Sequence, residues 1–229
     1  MDETWAHLQQ IARDLTAEYP DAVFIGGIAV SAHSSRLGSR FQESSHDADL
    51  YLSIQGKAEM RDRYEVRRMP HLGKDSVLIE GEDIDLYVEH QHPLGVSYAA
   101  IYSASEEIGG IRVASLEHLL ILKLDAAKNR WGSSKGEKDV RDLARVVALT
   151  GHPRESLLKP FYSTDRMGTL DRIMQRQDLP ALLGLNAFEG SRFQAKLDAN
   201  FKGITRGMNP PQPPPPATSQ APPSSRRRR

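Results

Sequence analysis

The chain has 229 residues, 39% hydrophobic and 26% charged, with 30 basic residues balancing 30 acidic ones, enough for a buried core in one compact domain or two small ones. It holds no cysteine, which excludes disulfides, thiolate-bound metals and a cysteine nucleophile and suits a reducing, cytoplasmic setting. No apolar run is long enough to span a membrane; the last twenty residues hold four arginines and no acid, so the rest is slightly acidic, which argues against wholesale non-specific binding of nucleic acid.

Residues 2–18 set Trp5, Leu8, Ile11, Ala12 and Leu15 at helical spacing. Pro20 and Asp21 end that helix, and residues 22–25 read as a first strand. Gly26-Gly27 then permits close approach of backbone to a ligand. A helix starting at Ile28 would aim its free amides and dipole at whatever sits above the turn, where an anion such as a phosphate fits. Residues 34–46 hold five Ser, two Arg and one His. They form either a flexible polar loop or a set of phosphate ligands drawn from Ser34, Ser35, Arg36 and Arg40.

Along residues 46–52, His46, Asp47, Asp49 and Tyr51 alternate with Ala48, Leu50 and Leu52. Two carboxylates one strand repeat apart repel each other. A divalent cation removes that repulsion, since Mg²⁺ takes oxygens from one or two carboxylates plus substrate phosphates. Residues 83–88 repeat the pattern of 47–52, with Asp83, Asp85 and Tyr87 in the corresponding places. Side by side, the two strands would bring their acids together; the alternative is a pair of edge strands guarded by charge. Lys57, Arg61, Arg63, Arg67 and Arg68 lie on an expected helix 57–64 and strand 64–69. They read as a solvated face or, second, as an RNA-facing patch. A strand at 76–80, a Gly81-Glu82 turn and a strand at 83–89 make a hairpin. His90-Gln91-His92 lacks the spacing of a zinc site and reads as a loop. Ile101-Tyr102 and then residues 109–113 suggest a closing strand.

Ser115 is a good helix cap, followed by Leu116, Leu119, Leu120, Leu122 and Leu124. Lys123 interrupts this apolar helix and shares a face with Ala127 and Arg130. A lysine there needs a partner or a water-facing site. It either snorkels to the surface or reaches an anionic ligand. A second helix, residues 136–149, sets Asp139 and Asp142 on one face, with Asp139 placed to orient Lys123 or Arg130. Residues 152–205 are helical in pattern, broken by Pro153, Pro160 and Pro180. From Gly207 the chain is proline-rich, ends in four arginines and cannot build a core.

The order strand, Gly26-Gly27, Asp47-x-Asp49 and a later Asp85 on a strand resembles the nucleotidyltransferase superfamily of polymerase-beta type, over residues 20–150. Within it, SLEHLLILKL at 115–124, Arg130 and KDVRDL at 138–143 are most similar to AbiEii/AbiGii-type toxins of type IV toxin–antitoxin systems, the group that includes the MenT toxins. Gly27 and Asp47 are farther apart than is usual there, which implies an enlarged Ser- and Arg-rich loop. The resemblance implies an α+β fold: a nucleotidyltransferase core with a mixed sheet flanked by helices at 1–113, a helical domain completing the cleft at 114–206, and a disordered tail at 207–229. It implies Mg²⁺ (or Mn²⁺) held by Asp47, Asp49 and Asp85, with Asp85 also the base toward an attacking hydroxyl and Asp83 a neighbour outside the set. It implies an NTP bound by Gly26, Gly27, Ser34, Ser35, Arg36, Lys123 and Arg130, and a Lys123–Asp139 pair in the active site. The expected reaction moves a nucleoside monophosphate to an acceptor hydroxyl, with a tRNA 3′ end or other RNA as acceptor and a cognate antitoxin protein as partner. The alternatives are a small-molecule nucleotidyltransferase like those that modify aminoglycosides, whose acceptor cleft would be acidic, and a catalytically inactive binding or regulatory homologue, against which the intact acid pairs stand.

Overall fold

The computed structural model describes residues 3–38, 41, 43 and 48–208. Helix α1 (Glu3–Glu18) buries Trp5, Leu8, Ile11, Ala12 and Leu15, the stripe its periodicity predicts. It leads to β1 (Val23–Phe24), α2 (Gly27–Ser34), β2 (Ala48–Leu52), α3 (Ile54–Arg63), β3 (Val66–Met69), β4 (Lys74–Ile79) and β5 (Glu82–Val88). Then come α4 (Tyr98–Ser103), β6 (Glu106–Ile108) and β7 (Ile111–Val113). Ile101-Tyr102 falls in α4 and not in the closing strand, because the Ser97 hydroxyl caps a helix by accepting from the Ala100 amide. The β4–β5 turn sits on Glu80-Gly81, one residue earlier than expected. Their φ values of 50° and 90° make the two-residue turn that matches strand twist.

The sheet runs β3-β4-β5-β2-β1-β7-β6. At its middle, β2 lies parallel to β5 and antiparallel to β1, with Asp49 opposite Asp85 and Tyr51 opposite Tyr87. Ala48, Leu50 and Leu52 on β2 and Ile84, Leu86 and Val88 on β5 have no exposure. A one-residue slip would turn this whole apolar set toward the site. Burial is worth about 1.5–3 kcal/mol for each large aliphatic side chain, so the register that pairs the two acids is strongly fixed.

Helix α5 (Leu116–Asn129) starts at the Ser115 cap and buries Leu119, Leu120, Ile121, Leu124 and Ala127. It packs on α6 (Ser134–Leu149), whose inner stripe is Val140, Leu143, Val146 and Val147. Four further helices follow: α7 (Glu155–Leu158), α8 (Thr164–Met174), α9 (Leu179–Leu182) and α10 (Ala187–Met208). One hydrophobic cluster runs from α1 through the sheet into α10, so the core is continuous across residue 113. Gly207 and Met208 are buried in α10, inside the stretch expected as tail; residues 209–229 lie outside the described residues. Lys57, expected on a solvated face, is buried and donates to Asp75 at 2.5 Å and Gln91 at 2.7 Å, tying α3 to the sheet. No helix among the described residues is long and apolar enough to cross a membrane.

Candidate active site

At the head of α2, Gly26 has φ 67° and ψ −144°. A Cβ built there would lie 1.8 Å from Asp49 Oδ2. Backbone and carboxylate therefore meet where a side chain has no room. Asp49 and Asp85 project from the same face of adjacent strands, ~4.8 Å apart. Tyr87 stands beside them; burial first, and then the charges of Asp49 and Asp85, push its phenol's pKa up. Asp85 is buried and ion-paired with Lys74. Lys74 reaches it because Ser76 is opposite Asp85 in the β4–β5 ladder, and Lys74 lies one repeat away on the same face.

A cleft of about 150 Å³ opens above the two acids, walled by Gly27 and by Lys74, Lys123, Arg130, Lys135 and Lys138. An adjoining slot of about 130 Å³ is lined by Ile25, Leu94, Leu119, Leu122 and Ala126, and shares Asp49, Tyr87, Lys123 and Arg130 with the cleft. A polar hollow lined by five cations and by Asp49, Asp85 and Asp139 thus opens onto an apolar one, a shape that suits a phosphate chain carrying a flat base.

Lys123 is almost fully buried. Its Nζ lies 2.7 Å from Asp142 and 3.4 Å from Asp139, and Arg130 reaches Asp139 at 2.9 Å. Burial alone would lower the Lys123 ammonium, but Asp142 and then Asp139 outweigh it and hold its pKa above the usual lysine value. Asp142 is the closer partner. Asp139 is left as the carboxyl that burial pushes up, against the pull of Lys123 and Arg130. The other Asp142 oxygen accepts from Arg145 at 3.2 Å. Arg145 in turn lies 2.7 Å from Glu43, which Arg141 also holds at 2.7 and 3.1 Å. Burial would raise the Glu43 carboxyl, but the hydrogen bond from Arg141 and the charge of Arg145 bring it down to about 2.

The fold thus gathers Gly26, Gly27, Asp49, Asp85, Lys123, Arg130 and Asp139 around one hollow, seven of the residues expected for the site. Asp47, with Arg40 and His46, lies outside the described residues. Ser34, Ser35 and Arg36 are not brought to the cleft. They stand at the far end of α2, about 11 Å along its axis from Gly27. Ser34 is buried, the Ser35 hydroxyl donates to the Ala32 carbonyl at 2.7 Å, and Arg36 pairs with Glu106 at 3.0 Å. Asp83 points to solvent and pairs with Arg67, in keeping with its place outside the set. His92 turns its Nδ1 to the Val88 amide, a loop contact. Lys74, Tyr87 and Glu43 are residues of the candidate site and its charge network that sequence patterning did not single out, and Asp142, placed on one face with Asp139, is the nearer partner of Lys123.

Among the described residues no group of three or more His, Asp or Glu side chains gathers at metal-binding distance. Asp49 and Asp85 form a pair, and a pair of carboxylates is the donor set of a hard ion that completes its shell with water and phosphate. The residues present therefore fit Mg²⁺ or Mn²⁺.

No protein-family model and no curated protein matches the chain. Solved structures do. A nucleotidyltransferase-like antigenic protein from Paracoccidioides brasiliensis superposes with a TM-score of 0.50 at 19% identity, over 78% of this chain and 93% of that one. JHP933 from Helicobacter pylori gives 0.46 at 15%, over 90% and 95%. The Megavirus polyadenylate synthase gives 0.47 at 12%, over 67% and 34%. At such identities the likeness is one of fold: a mixed seven-stranded sheet flanked by helices, with a helical C-terminal part, as in nucleotidyltransferase-like proteins.

Proposed function

We propose that this chain, built on a nucleotidyltransferase-like fold, is a divalent-metal-dependent enzyme that transfers a nucleoside monophosphate from an NTP to an acceptor hydroxyl. One observation carries the reading: Asp49 and Asp85 stand in register beneath Gly26 and face a cleft walled by five cations. Asp49 and Asp85, with Asp47 as the expected third, would hold Mg²⁺ or Mn²⁺. Such an ion, when bound, neutralises phosphate charge and favours in-line displacement. The Gly26-Gly27 turn and the start of α2 offer backbone amides to the triphosphate. Lys123 and Arg130, held by Asp142 and Asp139, place fixed positive charge beside it. Asp85 accepts the proton of the acceptor hydroxyl as its oxygen bonds to the α-phosphorus, and pyrophosphate leaves.

The acceptor in this proposal is RNA, with a tRNA 3′ end as the substrate implied by the likeness to AbiEii-type toxins. The biological role would then be growth arrest by a toxin in the cytoplasm, restrained by a cognate antitoxin. The excess of cations over carboxylates in the cleft lining, five against three, favours a polyanionic acceptor over a polycationic aminoglycoside. The test is transfer of label from α-labelled NTPs to total tRNA or to aminoglycosides in Mg²⁺. Label should appear on tRNA and fall at least a hundredfold, roughly the scale of losing a key electrostatic group, in Asp49→Asn. No transfer to any acceptor by the wild type would sink the enzyme reading. Transfer to aminoglycosides alone would replace the acceptor.

A further inference from the structure

Trp131 sits in the turn between α5 and α6 and remains 42% exposed. The Arg172 guanidinium lies over its ring, 5.1 Å from the centroid. Chain neighbours tie this indole to the cleft: Arg130 precedes it, Lys135 follows four residues later, and both wall the cleft. Positive φ at Gly132, 77°, turns the backbone between them.

Most cations around this turn are neutralised. Lys128 pairs with Asp165, Arg166 with Asp125, and Arg176 with Glu137 and Asp178. Arg172 and Lys135 have no carboxylate partner among the described residues, and both are exposed. An exposed ring with an unpaired guanidinium over it, in the turn between two residues of the cleft wall, is the chemistry that takes single-stranded nucleic acid. Bases stack on the aromatic face whatever their sequence, and phosphates meet the cations. A protein partner would instead cover a broader apolar patch.

We infer that the Trp131–Arg172 stack, with Lys135, is the platform on which the single-stranded 3′ end of an RNA acceptor lies as it enters the cleft. One nucleobase covers the free face of the indole, and the flanking phosphates meet Arg172 and Lys135. This deepens the nucleotidyl-transfer reading and rests on its RNA acceptor, but it has its own readout. The chain has two tryptophans, and the other, Trp5, is buried.

Binding of a short single-stranded oligoribonucleotide should quench tryptophan emission in the wild type and in Trp5→Phe, and leave it unquenched in Trp131→Phe. Anisotropy of labelled RNA should show near-normal binding by Trp131→Phe and about tenfold weaker binding by Trp131→Ala, the scale of one lost stacked base. Arg172→Gln should weaken binding and reduce the salt slope by about one. NTP binding measured without RNA should shift less than twofold in all three, while KM for tRNA rises in Trp131→Ala. Equal RNA affinity in the wild type and Trp131→Ala, with no quenching, would overturn the platform even if tRNA is labelled normally. So would loss, in these variants, of a protein partner's binding alone. Quenching by RNA without transfer to any acceptor would uphold the platform and reject the enzyme.

Discussion

Replacing Gly26 by alanine separates the candidate site from the fold that carries it. Its backbone, φ 67° and ψ −144°, lies in a region that costs a residue with a side chain about 1–3 kcal/mol. For a chain of this size that is a drop of about 2–12 °C in Tm. The contact is more severe. A Cβ would stand 1.8 Å from Asp49 Oδ2, 2.6 Å from its Cγ and 3.0 Å from its Cβ. The Asp49 carboxylate would have to retreat by well over an ångström, or the turn would have to lift away. A misplacement of about 1 Å costs on the order of a hundredfold in rate, so nucleotidyl transfer should fall at least that far. Gly109→Ala is the control. Gly109 also has positive φ, 60°, but a Cβ there meets nothing within 4 Å. It should show a similar thermal loss and near wild-type transfer. Steady-state transfer, Mn²⁺ binding and thermal melts on both variants decide the matter. If Gly26→Ala binds the ion and transfers label within several-fold of Gly109→Ala, the turn does not hold Asp49 and the reasoning fails.

Lys123→Met would strand Asp139 and Asp142 in the interior; breaking a buried pair costs about 3–5 kcal/mol, so melting should fall by about 6–20 °C along with transfer, and an unchanged Tm would refute the buried network. Lys74→Met removes a cation that competes for Asp85, so Mn²⁺ titrated in the absence of NTP should bind about fivefold tighter, a gain of ~1 kcal/mol, the scale of a partly exposed pair; unchanged or weaker binding would refute the competition. Glu43 tests the acid side. Its folded pKa, about 2, lies below the ordinary 4.5, so its stabilisation is fully present above pH 4.5 and fades as pH falls toward 2. Glu43→Gln should therefore melt below the wild type at pH 6, by about 1–3 kcal/mol for charged hydrogen bonds, with the gap closing near pH 2; a constant gap would show that charge is not what Glu43 contributes.

The pairing of β2 with β5 was legible because Asp-x-Asp-Leu-Tyr occurs twice with the same alternation, and only one register buries both apolar faces. Lys123 announced its need for a partner by sitting among leucines, and Asp139 and Asp142 were three apart on the next helix. The reach of α2 was not legible. No glycine or proline interrupts residues 28–37, so the helix and the following turn carry Ser34, Ser35 and Arg36 away from the cleft. Lys57 looked like one more charge in a basic run, and its burial depends on Asp75, an acid facing inward on β4. Glu43 meets Arg141 across 98 residues of sequence, a distance over which local patterning carries no signal. Lys74 would have followed from the hairpin, had its two-residue turn been placed on Glu80-Gly81.

The alternating charges from Glu43 through Arg145, Asp142, Lys123 and Asp139 to Arg130 have a mechanical consequence. Each inner member, Arg145, Asp142, Lys123 and Asp139, is shared by two neighbours of opposite sign, so none can strengthen one attachment without slackening the other. An incoming phosphate that draws Lys123 toward itself loosens Asp142, which then tightens on Arg145 and eases the grip of Arg145 on Glu43. On the proposed reading, nucleotide arriving at Lys123 would thereby be felt as far as Glu43.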